Sequence, residues 1–121
     1  MPDAEAQAKI EAELAQAGRA RAAGNEGMAR VCARRAAGIA VRAFFLAHGQ
    51  PVRSTSAVDL LEQLRLDAAL PQEVRSVAEH LLQRVTPDYQ LPIPADLLAE
   101  TAWLVAILQD LPYTSNDASP V

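Results

Sequence analysis

Residues Ala29 to Gly49 read ARVCARRAAGIAVRAFFLAHG, and the fold turns on how this run is placed. Alanine dominates it, so the run favours a helix that neighbours can approach closely. It also carries Arg30, Arg34, Arg35 and Arg42 beside Val41, Phe44, Phe45 and Leu46. At about 100° per residue, these arginines fall at roughly 0°, 40°, 140° and 120° around a helix. Ala33, Ala36, Ala37, Ala40, Ala43 and Phe44 occupy most of the opposite side. The spacing predicts a helix with one broad basic face and a packed apolar back, ending at Gly49, a stop signal. Val31, Phe45 and Leu46 intrude on the basic face. Such a mixture suits an interface or an anion site, where a guanidinium fork pairs with carboxylate or phosphate. Arg30 and Arg34, one turn apart, are expected to stay free for that ligand or partner.

The rest of the chain reads as helices packed around this one. An amphipathic helix is predicted from about Ala4 to Ala23, with Ile10, Leu14 and Ala17 as its apolar stripe. Gly24-Asn25-Glu26-Gly27 breaks the pattern as a tight link to an antiparallel neighbour. A hydroxyl from Ser54-Thr55-Ser56 caps a short helix reaching about Leu64. Leu70-Pro71 opens a fourth helix, with proline in its first turn, running to about Val85. Three prolines between Thr86 and Pro94 keep that segment from being helical throughout. A last helix is predicted from about Ala95 to Leu111, followed by a polar, frayed tail over 112–121. The expected architecture is all-α: a single antiparallel bundle of four to five helices over 1–111.

Composition bounds the function. The chain has 121 residues, is 50% hydrophobic and carries a net charge of −4. That net value conceals a division. Residues 19–58 hold seven arginines against Glu26 alone, whereas residues 59–121 hold ten acids against three arginines. Either a basic surface faces an anionic partner, or a basic layer faces the chain's own acids, such as Asp59, Glu62 or Glu79. Arginines interrupt every apolar run before it reaches the roughly 18 residues of a membrane span. The acidic, polar start (Asp3, Glu5, Glu11, Glu13) is unlike a secretory leader, so a cytoplasmic location is expected. Cys32, the only cysteine, reads as a small core residue. Two histidines and one cysteine offer no metal-ligand spacing, and no glycine loop precedes G-K-[ST]; no metal or cofactor is expected.

Several pieces then line up in order. The glycine turn is followed by MARVCARRAAGIAVRAFFLAHG, with Arg42-Ala43-Phe44-Phe45 before Gly49. Ser56-Ala57-Val58-Asp59-Leu60-Leu61 follows, then Tyr89-Gln90-Leu91-Pro92-Ile93-Pro94 ahead of the last helix. The series resembles HEPN domains, small helical bundles often encoded beside minimal nucleotidyltransferases, over nearly the whole chain. It departs from them at Gly38, where many relatives carry glutamate, and at Thr55, near which they carry histidine. Leu91 and Ile93 stand where they carry arginine. The resemblance implies a non-catalytic binding subunit that works with a nucleotidyltransferase partner or holds a nucleotide or RNA.

RNase members of that family carry an arginine, four to six residues, then a histidine. Arg75-Ser76-Val77-Ala78-Glu79-His80 fits this pattern, and Arg42 to His48 fits the spacing. The alternative reading is therefore an RNase toxin of a toxin–antitoxin pair using Arg75 and His80. On one regular helix those two point about 140° apart, so they would converge only across a kink or a second subunit. A third reading is a purely structural interaction module. Trp103 lies off the last helix's apolar stripe, either covered by the tail or anchoring a subunit interface. With the small-residue helix faces, the second possibility predicts a homodimer.

Overall fold

A computed structural model describes residues 3–52, 54–83 and 96–111. Every regular element among them is helical: α1 (Ala4–Ala22), α2 (Glu26–Ala47), α3 (Ala57–Arg65), α4 (Gln72–Leu82) and α5 (Leu97–Asp110). Four of the five start where a short polar side chain takes up a free backbone amide. Asp3, Asn25, Ser56 and Asp96 accept from the amides of Ala6, Met28, Asp59 and Ala99. Each leaves one fewer orphan donor at a helix start, worth about 1 kcal/mol apiece. Pro71 stands in the cap position of α4 without a side-chain bond, one residue earlier than its expected place in the first turn. α4 stops at Leu82, where the Gln83 backbone is already extended, short of the end expected near Val85; Ala95, the proline-rich segment and the tail lie outside the described residues.

The two hinges of the α1–α2–α3 path share one device. After α1, the Gly24 amide donates to the Arg21 carbonyl and the Asn25 amide to that of Ala20. After α2, Gly49 and Gln50 donate in the same way to Leu46 and Phe45. Both are Schellman closures, and each puts its glycine at positive φ, +80° at Gly24 and +74° at Gly49. The link before α2 is shorter than the sequence suggests. Asn25 already caps the helix, so Glu26 and Gly27 belong to α2 rather than to the break.

α2 is the axis of the bundle, packed against α1, α3 and α5. Its buried residues run from Ala29 and Cys32 through Ala36, Gly38 and Val41 to Phe45. On a helical projection they cover roughly 240° of its circumference, far more than a one-sided helix would bury. Small side chains make this geometry possible. A Cβ built on Gly38 would lie 2.9 Å from Ala57 Cβ and 3.0 Å from Ala57 Cα, so the start of α3 rests on the bare α2 backbone. That contact leaves no room for a side chain at Gly38. Phe44 and Phe45, edge to face at 5.6 Å between centroids, fill the core with Ile10, Leu61, Leu81 and Leu104.

Candidate interaction surfaces

The four α2 arginines do not share one face. Arg34 is half-buried and turns toward the end of α4, where Nε donates to the Leu81 carbonyl at 2.6 Å. Its Nη2 donates to the Gln83 carbonyl at 2.7 Å. These acceptors are carbonyls at the end of α4, where intrahelical donors run out, so Arg34 caps α4 from another helix. Burial, and then the charge of neighbouring Arg30, pushes the Arg34 guanidinium below its ordinary pKa. The expectation that Arg34 remains free for a ligand is therefore corrected. It lies in the arc of α2 that packing occupies, and Arg30, partly buried, sits beside it.

Arg35 and Arg42 lie elsewhere, on the strip of α2 that the bundle leaves uncovered. Arg35 keeps 57% of its side chain exposed, with Glu13 of α1 at 4.0 Å. Arg42 is exposed and makes no ion pair among the described residues. It lines a groove of about 530 Å³ between α1 and α2, whose walls include Asp3, Glu5, Ile39 and Leu46. Along the same strip Met28, Val31 and Leu46 are large apolar side chains in contact with solvent, Leu46 at 50%. Of the three residues expected to intrude on the basic face, Val31 and Leu46 are exposed there and Phe45 is buried. The strip is thus apolar with two guanidiniums and carboxylates close by.

The internal acidic layer is also absent among the described residues. Glu62 pairs with Arg65 on its own helix, at 2.8 Å, and neither Asp59 nor Glu79 forms an ion pair with an α2 arginine. Among the described residues, the one ion pair joining the basic and acidic segments is Arg21 to Asp96, at 2.9 Å. Arg21 also bonds Glu26 at 2.8 Å, tying the end of α1 to the starts of α2 and α5. Glu26 and then Asp96 raise the Arg21 pKa, and Arg21 holds the Asp96 carboxyl below its usual range. Seventy-five residues separate Arg21 from Asp96, a spacing from which sequence periodicity carries no signal.

A second surface lies between α4 and α5. Glu73, Val77, Ala99, Glu100 and Trp103 line an apolar groove of about 470 Å³. Trp103 is 39% exposed on its wall, and the charged groups lining it among the described residues are carboxylates. Glu100 Oε1 meets Nδ1 of His80 at 2.6 Å, clasping the two helices. Arg75 instead donates from Nη2 to Gln72, on its own helix. The regular α4 helix therefore gives Arg75 and His80 separate partners on separate faces. Glu100 and Trp103 are neighbours three residues apart on α5; the contribution of Glu73 and Val77 depends on how α4 meets α5.

Cys32 is fully buried, and burial, with Glu13 next, raises its thiol pKa, as expected of an inert core residue. Among the described residues no group of His, Cys, Asp and Glu is placed to hold a metal ion, and no helix is long and apolar enough to cross a membrane. Comparison with protein families, curated proteins and solved structures finds no match for this chain.

Proposed function

We propose that this chain is a non-catalytic helical binding subunit whose exposed α2 strip engages a protein partner. The observation that carries the reading is the strip itself, with Arg35 and Arg42 set among solvent-facing Met28, Val31 and Leu46. Exposed apolar side chains gathered on one helix face mark an interaction surface, and arginine is favoured at interface cores over lysine. A polyanion is the weaker match. Two exposed guanidiniums, with Asp3, Glu5 and Glu13 nearby, offer about two phosphate contacts, too few for strong counterion-driven binding. A partner surface that is apolar with carboxylates fits better. The resemblance to HEPN domains points to a nucleotidyltransferase as that partner, with a bound nucleotide or RNA as the rival.

The test uses the purified chain and a purified minimal nucleotidyltransferase. Calorimetry should show a complex that Arg35→Gln with Arg42→Gln weakens by about tenfold or more, while Arg30→Gln leaves it unchanged. A tight RNA complex whose salt dependence requires many phosphate contacts would move the reading to nucleic acid. The RNase reading has no comparable support, since Arg75 and His80 have different partners. RNA cleavage that disappears in His80→Ala would restore it.

A further inference from the structure

The α2 strip calls for a surface that is apolar, carries carboxylates and offers an aromatic anchor. This chain has such a surface. The α4–α5 groove combines Val77, Ala99 and a partly exposed Trp103 with Glu73 and Glu100. We propose that a second copy of this chain is the occupant of that groove, its α2 strip laid between α4 and α5. The inference rests on the reading of the strip as a binding surface and names one partner for it.

Charge decides against the simpler arrangement. Two copies meeting through identical α5 faces would bring Glu73 and Glu100 of one against the same carboxylates of the other. Pairing strip with groove instead sets Arg35 and Arg42 toward Glu73, and toward the Glu100 oxygen that His80 does not hold, guanidinium against carboxylate; Asp3, Glu5 and Glu13 beside the strip offset part of that gain. Apolar complementarity points the same way. α5 is apolar on nearly all sides, and its outward residues Ala99, Ala102 and Ala106 are small. They let another helix approach beside Trp103, with Val31 at one end of the strip or Leu46, about 22 Å along it, available to cover the indole. In this arrangement Trp103 sits at an interface whose other side is the partner's α2 rather than a second Trp103. Partner binding through the strip and self-association then exclude each other, because both use Arg35 and Arg42.

Sedimentation velocity on the full chain, without nucleic acid or nucleotidyltransferase, tests the contact. Wild-type protein is expected to sediment above the monomer as concentration rises, and to shift back toward it in high salt. Its sole tryptophan, Trp103, should show blue-shifted emission on association. Arg35→Glu with Arg42→Glu should remain monomeric, and so should Glu73→Lys with Trp103→Ala. Reversal at Glu73 alone, mixed with the arginine double variant, should give a one-to-one complex. That complex joins the intact groove of one variant to the intact strip of the other, and also shows that both variants are folded. Wild type that stays monomeric at millimolar concentration overturns the proposal and leaves the heteropartner reading standing. Association that survives the arginine reversal but not Trp103→Ala also overturns it, in favour of like faces pairing.

Discussion

Arg34 and Arg35 are neighbours in sequence and opposites in fate. Arg34 turns into the bundle and donates to the carbonyls of Leu81 and Gln83; Arg35 stays in solvent with Glu13 4.0 Å away. One residue is a rotation of about 100° on a helix, enough to cross from the packed arc of α2 to its open strip. A guanidinium at the end of another helix becomes part of the fold, while the same group on an uncovered strip is available to a partner. The division therefore follows from which neighbours α2 has, not from the residue type.

The comparison breaks most visibly at Arg34. Arg34→Ala removes two charge-assisted bonds and leaves half-buried carbonyls unpaired, costing roughly 3 kcal/mol. Urea denaturation measures this; a loss under 1 kcal/mol would place Arg34 with the solvent-exposed arginines. Gly38→Val attacks the packed arc directly, since its Cβ would meet Ala57 at about 3 Å. Overpacking of this kind costs about 1 to 3 kcal/mol, and α3 should lose amide protection before the other helices in hydrogen exchange. An unchanged melt would mean that α3 does not rest on α2 there.

Thr101→Val should act in the other direction. The Thr101 side chain is fully buried in α5, and its hydroxyl has no hydrogen-bond partner among the described residues. A methyl in its place avoids burying an unpaired polar group and should raise stability by about 1 kcal/mol. A loss of that size would show that the hydroxyl is bonded in solution.

The smallest effect concerns Asp96, whose pKa lies below the usual carboxylate range because of Arg21 and the α5 amides. A depressed carboxyl contributes stability above its unfolded pKa, near 4, and loses it as pH falls through the folded value. Both side chains are more than a third exposed, so the contribution is a few tenths of a kcal/mol. Asp96→Asn should flatten the acid limb of the stability profile by that amount while keeping the α5 cap. An identical acid limb in wild type and variant would remove the Arg21–Asp96 tie from the account.

The helices were legible in sequence because their signals are local. The hydroxyl at Ser56, the break at Gly24 and the stop at Gly49 act within one turn, and the apolar stripe of α1 repeats at helical spacing. Trp103 was legible as an outlier on its own helix. The division of the arginines was not, because azimuth alone does not say which side of α2 meets α4. Buried small residues at Ala36, Ala37 and Gly38 face different sides of α2 and allow helices to approach from several directions, so one basic face and two separate pairs look alike in the sequence. The need for a bare backbone at Gly38 becomes visible only when Ala57 and α3 are in place. The groove at Trp103 likewise depends on the meeting of two helices.

Equilibrium denaturation of two double variants tests the central division most directly. Arg30→Gln with Arg34→Gln should lose several kcal/mol, because the bonds to Leu81 and Gln83 break. Arg35→Gln with Arg42→Gln should stay within about 0.5 kcal/mol of wild type, as exposed surface substitutions do. Equal losses in the two variants, or a larger loss in the second, would contradict the assignment of one pair to the fold and the other to a partner.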